Sequence, residues 1–225
     1  MNLKFDRKKL FDNYINRKDF KYKDFFINYF EFGIFEGSSF ILFYKELKNS
    51  PFFKSEKFHF YLFDSFKGMP ATNDIRDKNP QWSSGDYKFS KKQLINNFNK
   101  HEVNPSHYTI IDGFFLDTLK KNKKKTYSLI KIPRCDFVYM DCDYFSSTLL
   151  ALNFIKKLMH NRTIIYFDNI WSFSGHPGKG ELGALNRFNK NNKKLGIVPY
   201  PILSQESGRV YIAWSNDLNY LNYEK

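Results

Sequence analysis

The sequence predicts an α/β fold with a doubly wound, mostly parallel seven-stranded sheet and an antiparallel hairpin at one edge. Two observations carry this prediction. Short apolar runs that suit buried parallel strands alternate five times with helical segments along the chain. After the fifth alternation, residues 196–203 and 210–214 form two β-rich runs separated by turn residues, which predicts the closing hairpin. Pro199 and Pro201 suit an edge strand, because proline cannot donate to a strand ladder.

The individual elements follow from apolar runs and their periodicity. The predicted strands cover residues 26–32, 58–63, 108–112, 137–140 and 163–167. The predicted helices cover a stretch ending near residue 47 and residues 91–102, 146–159 and 181–191. Residues 1–25 predict one or two short helices that pack on the domain or cover it. Residues 65–90 are too polar and glycine-rich for core elements and predict a lid loop. We expect residues 1–225 to form a single domain.

Composition limits the classes of protein to which the chain can belong. A hydrophobic fraction of 42% with 20% aromatic residues supports a large core and excludes a disordered chain. The net charge of +13 raises nucleic acid as a partner. However, Lys, Asn, Phe, Ile and Tyr are enriched together, as A+T-rich coding produces whatever the function, and the densest basic run, residues 120–125, is expected to be a solvated loop. Nucleic acid is therefore unlikely, and the charge fits solubility or an anionic substrate.

Two cysteines and the first ten residues indicate the compartment. Cys135 and Cys142 lie about 20 Å apart if the chain between them is extended, so they cannot pair with each other. Their arrangement fits a reducing compartment. Residues 1–10 lack an apolar signal region, and no apolar stretch reaches the ~20 residues of a membrane span. We expect a cytoplasmic protein without a membrane segment, and we leave open a homodimer.

Acidic side chains follow two predicted strands. Asp141 and Asp143 come directly after residues 137–140, and Asp168-Asn169 follows the fifth strand. In open α/β sheets ligands bind outside the carboxyl ends of the strands, so these side chains lie where a substrate or metal would sit. Ser146 or Ser147 is then expected to cap the next helix. The alternative is that Asp141 and Asp143 are only turn and capping residues.

A glycine-containing turn follows the first strand. Gly33 and Gly37 lie two and six residues after Glu31. Gly33 allows a tight turn, and Gly37 lets the backbone approach a ligand. The helix beginning near Ser38 offers free N–H groups to an anion. Asp64, at the tip of the second strand, is placed to accept hydrogen bonds from the two hydroxyls of a ribose. Together these features indicate a nucleoside-containing cofactor.

Five short motifs occur in order at predicted strand tips. They are Glu31-Phe32-Gly33-x-x-x-Gly37, Asp64-Ser65-Phe66-x-Gly68-Met69-Pro70, Gly113-x-Phe115-x-Asp117-Thr118-Leu119, Asp141-x-Asp143-x-x-x-Ser147-Thr148 and Phe167-Asp168-Asn169. In this order they resemble the macrocin and mycinamicin type sugar O-methyltransferases over roughly residues 30–190. The resemblance implies the fold of class I S-adenosylmethionine-dependent methyltransferases. It implies S-adenosylmethionine and Mg²⁺ as cofactors and a sugar or other small-molecule acceptor.

The resemblance also assigns roles to single residues. It implies that Asp141, Asp168 and Asn169 hold the metal and that Asp143 is the general base, so Asp141 and Asp143 are the candidate catalytic residues. The family usually has Asp where this chain has Asn169, which removes one charge from the predicted site. The candidate cofactor-binding residues are Glu31, Gly33, Gly37, Ser38, Asp64, Ser65, Asp112 and Gly113.

Three alternatives stay open. A methyltransferase of a catechol or other small phenol needs the same acids. A non-catalytic nucleotide- or nucleic-acid-binding module does not use them, and a degenerate member would work without metal. Trp82 and Tyr87 in the lid loop either stack on a ligand or pin the loop. His176 either contacts the acceptor or is an ordinary solvated residue. Arg209 either recognises an acidic acceptor or forms an ordinary surface ion pair.

Overall fold

The computed structural model describes residues 6–16, 27–51, 53, 58–131, 133–204 and 207–215. Seven strands are present among these residues: β1 (Ile27–Phe32), β2 (Phe58–Asp64), β3 (Tyr108–Asp112), β4 (Cys135–Met140), β5 (Met159–Phe167), β6 (Leu195–Pro199) and β7 (Val210–Ser215). The α-helices of this part of the chain are α1 (Arg7–Ile15), α2 (Ser38–Lys48), α3 (Lys91–Lys100), α4 (Lys123–Ser128), α5 (Phe145–Ile155), α6 (Gly180–Asn191) and α7 (Pro201–Ser204). A π-helical stretch, Leu116–Lys121, precedes α4.

The strands form one sheet in the order β3-β2-β1-β4-β5-β7-β6. Strands β1 to β5 pair in parallel, and β7 is antiparallel to both β5 and β6. The predicted α/β class, the mostly parallel sheet and the antiparallel edge hairpin are confirmed. The order changes direction between β1 and β4, which creates the crevice where ligands bind in sheets of this kind.

Helices cover both faces of the sheet, as a parallel sheet requires. All six residues of β1 and all six of β4 are buried. Neighbouring side chains alternate between the faces, so Tyr29 packs with residues of α1, α2 and α3, whereas Phe30 packs with residues of α5 and α6. The long apolar runs in the sequence therefore come from strands that have no solvent-facing side.

The predicted boundary between α5 and β5 is wrong. The helix ends at Ile155 and the strand begins at Met159, whereas the sequence predicted a helix to residue 159 and a strand from residue 163. The first part of β5 reads Met-His-Asn-Arg, which lacks the apolar run of a buried strand. It is nevertheless in the sheet, because Met159 pairs with Cys135 before the register shifts in β4.

The edge hairpin is shorter than predicted. Strand β6 ends at Pro199, and Pro201 begins the short helix α7 instead of continuing the strand. Proline favours the first position of a helix because its missing N–H would have no partner there. The side chain of Pro199 fits the edge position, since β6 pairs with β7 on one side only within the described sheet.

The amino-terminal segment contributes helix α1, and residues 1–5 and 17–26 lie outside the described part of the chain. The helix buries Leu10, Phe11, Tyr14 and Ile15. The ring of Tyr14 lies 4.7 Å from that of Phe137 in β4, centre to centre. Helix α1 therefore packs on one face of the sheet, which is one of the two placements predicted for this segment.

The predicted lid loop, residues 65–90, contains no helix or strand in the structure, but it is tied to the domain. Asp77 is buried and accepts hydrogen bonds from the backbone N–H and the hydroxyl of Ser146, at 3.0 and 2.6 Å. This corrects the predicted capping role of Ser146 or Ser147. Tyr144 is the N-cap residue of α5 and provides no side-chain cap, so Asp77 supplies the acceptor from the loop.

Within the described residues, no helix is long and apolar enough to cross a membrane. Cys135 and Cys142 are both free, as their spacing predicted.

Candidate active site

The carboxyl ends of four parallel strands are held side by side by backbone hydrogen bonds. Gly33 donates to the carbonyl of Phe63 in β2 at 2.9 Å, and Asp141 donates to the carbonyl of Phe32 in β1 at 3.0 Å. Asp168 donates to the carbonyl of Met140 in β4 at 2.9 Å. These bonds extend the sheet ladder one residue past each strand, so the predicted site residues are fixed relative to each other.

A cavity of about 520 Å³ lies at this edge of the sheet. This volume falls within the range typical of small-molecule and cofactor sites. Seven of the predicted site residues line it: Gly33, Asp64, Ser65, Asp141, Asp143, Asp168 and Asn169. The remaining wall is largely apolar and aromatic, and it includes Phe35, Met69, Phe114, Phe115, Leu116 and Leu150. The cavity thus has one acidic end and one apolar end.

Asp64 fixes the glycine turn. Its Oδ2 accepts hydrogen bonds from the backbone N–H groups of Ile34 and Phe35, at 2.8 and 3.0 Å, and its Oδ1 accepts from the N–H of Phe66 at 2.7 Å. A carboxylate has about four acceptor positions, so three of those on Asp64 are occupied by the protein itself. Asp64 lies in the cavity wall as predicted, but its acceptor capacity for a ribose is smaller than the sequence suggested.

Glu31 does not line the cavity, although the sequence placed it among the cofactor-binding residues. Its side chain is fully buried beneath the turn and accepts hydrogen bonds from the hydroxyls of Tyr29 and Ser39. Burial raises the pKa of Glu31 to about 8. Glu31 therefore supports the turn from inside the protein and does not contact a ligand directly.

Gly37 and Ser38 also lie away from the cavity wall. Gly37 caps α2 with a φ of +84°, and a Cβ at this position would lie 2.8 Å from side-chain atoms of Leu94 and Phe98. Its lack of a side chain is needed for packing against α3. Ser38 is exposed. The structure thus brings only the first glycine of the turn into the cavity.

The tip of β3 contributes different residues from those predicted. Asp112 is exposed and its carboxylate lies 3.6 Å from the ammonium of Lys91. Neither Asp112 nor Gly113 lines the cavity, whereas the next two residues, Phe114 and Phe115, do. Gly113 has a φ of +137°, so it turns the chain and directs the aromatic pair toward the cavity.

The acidic end of the cavity holds two carboxyl groups, Asp141 and Asp143, whose pKa values are raised. Burial, and next the charge of Asp168, raises the pKa of Asp143 to about 7. Burial and then the charges of Asp168, Asp143 and Glu181 raise the pKa of Asp141. Carboxylates in this arrangement favour a proton, a hydrogen-bond donor or a cation between them.

Glu181 is a member of this cluster that the sequence did not identify. It is fully buried at the start of α6 and accepts hydrogen bonds from the backbone N–H groups of Cys142 and Asn169, at 3.2 and 3.0 Å. Glu181 therefore holds the tips of β4 and β5 together. An acid in the first turn of a helix is common for electrostatic reasons, so the sequence pattern alone could not indicate this contact.

Asn169 presents its amide nitrogen to the acids, and not the oxygen expected of a metal ligand. Its Nδ2 donates to Oδ1 of Asp143 at 2.7 Å and to Oδ1 of Asp141 at 3.3 Å. A single neutral donor thus bridges the two carboxylates. In this orientation Asn169 positions Asp143, and the amide has to turn over before its oxygen could bind a metal.

Two tyrosine hydroxyls orient the side chain of Asp168. The hydroxyls of Tyr139 and Tyr166 donate to its Oδ1, at 3.0 and 2.9 Å. Arg7, on α1, donates to the hydroxyl oxygen of Tyr139 at 3.2 Å, and Arg209 donates to the backbone carbonyl of Asp168 at 2.6 Å. Arg209 therefore supports the strand tip. With both tyrosines on Oδ1, the Oδ2 atom of Asp168 is the acceptor left for a ligand.

The donors fit a hard cation only in part. Among the described residues, no three or more His, Cys, Asp and Glu side chains form a group that could hold a metal ion. Asp141 and Asp168 line the cavity and provide carboxylate oxygens, which Mg²⁺ prefers, and Mg²⁺ commonly takes one or two carboxylates and completes its shell with water and substrate. The donor chemistry therefore fits magnesium, while the orientation of Asn169 does not.

The lid loop places two aromatic residues in the cavity wall. Trp82 makes edge contacts with Tyr144 and Phe173, with ring centres 6.1 and 5.5 Å apart, and Tyr87 makes an edge contact with Phe35 at 5.9 Å. His176, in the loop after β5, is exposed and accepts a hydrogen bond from its own loop. The aromatic residues are thus placed to contact a ligand, and His176 is not part of the cavity wall.

The raised pKa of Glu31 predicts a pH-dependent effect of Glu31→Gln on stability. The folded state favours neutral Glu31, so the stability that protonation provides is present below pH 4.5 and is lost as pH rises through about 8. Gln resembles the protonated form. We expect the variant to gain about 1 to 4 kcal/mol relative to wild type between pH 5 and 8.5 in urea unfolding.

Glu102→Gln is the matched control, because Glu102 is exposed and pairs with Lys48 at the surface. Its stability difference from wild type is expected to stay constant over the same range of pH. A constant difference for Glu31→Gln as well would show that Glu31 is ionised in the folded protein, against the burial described above.

The sheet order, the glycine turn after β1 and the cavity across the strand tips define a class I methyltransferase. The family model for macrocin-O-methyltransferase (TylF) matches residues 22–176, which is more than half of the chain. The chain belongs to this family and is an O-methyltransferase.

Solved structures agree on the fold. The calicheamicin methyltransferase CalS11 is 18% identical, with a TM-score of 0.64, and the match covers 83% of this chain and 72% of CalS11. The O-methyltransferase NovP is 15% identical with a TM-score of 0.65, over 93% of this chain and 76% of NovP. No curated protein matches the sequence.

Proposed function

We propose that this protein transfers the methyl group of S-adenosylmethionine to a sugar hydroxyl, in a glycosylated natural product or a surface-glycan precursor. The family supports methyl transfer to oxygen, and the sugar is supported by CalS11, which is a TDP-rhamnose 3'-O-methyltransferase. The observation that carries the proposal is the carboxylate of Asp143, which lines the same cavity as the Gly33 turn and accepts a hydrogen bond from Asn169 at 2.7 Å.

The cavity suits the cofactor in size and in chemistry. Gly33 and Asp64 lie in one part of the wall, and the apolar side chains of Phe35 and Leu116 lie in the same cavity for an adenine base to pack against. Ser65 lines the cavity as well. S-adenosylmethionine supplies a methyl group on a positively charged sulfur, which leaves the reaction as a neutral thioether.

Asp143 acts as the general base in this proposal. A sugar hydroxyl is a poor nucleophile until its proton is removed, and a carboxylate with a pKa near 7 can accept that proton at neutral pH. Asn169 holds Oδ1 of Asp143 by a hydrogen bond of 2.7 Å, which leaves Oδ2 to face the acceptor. Catalysis otherwise comes from holding the two reactants in line.

We further propose that Asp141 and Asp168 hold magnesium. Support comes from two carboxylates at neighbouring strand tips that line one cavity, and from the mutual repulsion that raises the pKa of Asp141. Bound there, magnesium would lower the pKa of the acceptor hydroxyl. Asn169 would join the shell through its oxygen after the amide turns over, or would stay with Asp143.

Metal removal and Asn169→Asp test this proposal. We expect EDTA to lower methyl transfer at least tenfold, magnesium to restore it, and S-adenosylhomocysteine binding to persist in EDTA. Asn169→Asp adds a carboxylate beside Asp141 and Asp143, so it should tighten Mn²⁺ binding, measured by titration calorimetry on the S-adenosylhomocysteine complex. Full activity in EDTA without measurable Mn²⁺ binding would identify a metal-free member of the family.

The function itself is tested by cofactor binding and acceptor screening. We expect S-adenosylhomocysteine to bind with micromolar affinity and sugar glycosides to accept methyl groups, whereas catechol should not. Methyl transfer to catechol alone would favour the phenolic alternative. A protein that binds nucleic acid with strong salt dependence, and does not bind S-adenosylhomocysteine, would be the non-catalytic module.

The cytoplasmic location and the homodimer stay predictions. Neither follows from the cavity or from the family. Gel filtration with light scattering would measure the oligomeric state.

A further inference from the structure

A second pocket adjoins the cavity that contains the strand-tip acids. It has a volume of about 450 Å³ and shares Pro70, Ala71, Thr72 and Trp82 with the first cavity. The two spaces therefore adjoin along these four residues, and Trp82 contributes to both walls.

The second pocket begins beside the proposed base. Tyr144, which lines it, directly follows Asp143, which lines the first cavity. Asp143 has a φ of +57°, a left-handed conformation that separates the directions of these two side chains. The wall of the second pocket therefore begins at the residue that follows the proposed base.

The lining has the chemistry of a carbohydrate subsite. Trp82 and Pro80 offer flat apolar surfaces, on which the C–H faces of a pyranose ring pack, and the buried Tyr144 supports Trp82 by an edge contact. Asn79 offers a neutral amide beside them, whereas the hydroxyl of Thr72 already donates to Asp77 and accepts from the backbone N–H of Asp74. The indole N–H of Trp82 has no hydrogen-bond partner within the described residues, so it can donate to a sugar hydroxyl.

The charges in the second pocket argue against a nucleotide diphosphate. Lys78 is the one basic residue among those that line it. Asp77, its single acidic neighbour in the wall, already accepts hydrogen bonds from Ser146 and from Thr72. A diphosphate carries at least two negative charges, and sites that bind it use several cations or a helix amino terminus.

We infer that this second pocket binds the sugar adjacent to the methylated one. The acceptor is then a glycan or glycoside with at least two sugars, and not a sugar nucleotide. This inference rests on the proposed methyl transfer to a sugar hydroxyl, and it makes Trp82 a specificity-determining residue.

Three acceptors that share one reacting sugar test the inference: methyl rhamnoside, a methyl disaccharide with rhamnose at its non-reducing end, and TDP-rhamnose. We expect the disaccharide to have at least a tenfold higher kcat/KM than the monosaccharide, and TDP-rhamnose to gain nothing over the monosaccharide. Trp82→Ala should lower kcat/KM for the disaccharide to the value for the monosaccharide. Because Trp82 also lines the first cavity, the variant that should leave kcat/KM for the monosaccharide within threefold of wild type is Pro80→Ala, which changes the second pocket alone and should lower kcat/KM for the disaccharide.

Trp171→Phe is the control, because Trp171 lies outside both pockets and its indole donates to the carbonyl of Ser207. Trp171→Phe should leave the ratio of kcat/KM between the disaccharide and the monosaccharide unchanged. Equal kcat/KM for the two glycosides in wild type, an equal loss for both in Pro80→Ala, or a preference for TDP-rhamnose would each overturn the inference.

Binding separates this inference from the proposed function. Saturation-transfer NMR on the S-adenosylhomocysteine complex measures contact with the disaccharide without any reaction. Disaccharide binding that Trp82→Ala abolishes, in a protein that methylates none of the three acceptors, would support the pocket and count against the function. Absence of both disaccharide binding and length preference would overturn the pocket.

Discussion

Asp143→Asn is expected to lower kcat for methyl transfer by about 10² to 10⁴-fold, the contribution typical of a general base. The amide cannot accept the proton of the hydroxyl at neutral pH. The backbone should tolerate the change, because Asp143 has a φ of +57° and Asn adopts this conformation readily. The new Oδ1 can still accept from Nδ2 of Asn169, so the shape of the site should be kept. Stopped assays with labelled S-adenosylmethionine measure the loss.

Two further measurements show whether the loss is chemical. The dissociation constant of S-adenosylhomocysteine should change by less than about threefold, since Asp143 lies at the acidic end of the cavity. Asp12→Asn, an exposed aspartate on α1, should retain wild-type activity. The wild-type rate that remains in EDTA should rise with pH through about 7, where Asp143 loses its proton, and magnesium should move this rise to lower pH because a nearby cation lowers the pKa of a carboxyl group. Asp143→Asn with more than a tenth of wild-type activity would exclude this residue as the base.

The sheet could be predicted because its strands are buried on both faces. An apolar run such as that of β4 has one structural explanation in a chain of this length, and the acids that follow it then fall at the carboxyl edge. The prediction failed where an element is polar. The first residues of β5 enter the sheet through pairing with β4, a contact that no local pattern encodes.

The sequence could predict single residues of the site, but not the contacts between residues that are distant in the chain. A strand tip identifies Asp141 and Asp168, because each follows an apolar run directly, and Asp143 lies two residues after Asp141. It does not reveal that Glu181, 38 residues after Asp143 in sequence, accepts hydrogen bonds from both strand tips. The positions of such partners depend on how α6 packs, and packing is set by the whole fold.

The glycine turn shows the same limit. The pattern of Glu31, Gly33 and Gly37 resembles a cofactor-binding turn, yet Glu31 and Gly37 face the interior. Glu31 holds the turn by hydrogen bonds, and Gly37 packs on α3. A motif of this kind therefore specifies the shape of the turn, and only Gly33 among its three residues contributes to the cavity wall.

Gly33→Ala is expected to have the second large effect, a loss of about 3 to 5 kcal/mol in the free energy of unfolding together with the loss of cofactor binding. Gly33 has a φ of +85°, which costs an alanine roughly 1 kcal/mol. The larger cost is steric. A Cβ at Gly33 would lie 2.0 Å from the backbone oxygen of Asp141, so the tips of β1 and β4 would have to move apart. Urea unfolding and titration with S-adenosylhomocysteine measure the two effects.

Gly85→Ala separates the steric cost from the conformational one. Gly85 has a similar φ of +90°, but a Cβ there would have no neighbour within 4 Å. This variant should therefore lose only about 1 kcal/mol of stability and keep its affinity for S-adenosylhomocysteine. If Gly33→Ala destabilises the protein no more than Gly85→Ala and still binds S-adenosylhomocysteine, the close approach between the tips of β1 and β4 does not restrict the cofactor site. If only Gly33→Ala causes a large loss of stability and of cofactor affinity, the close approach of Gly33 to the backbone of Asp141 is required for both.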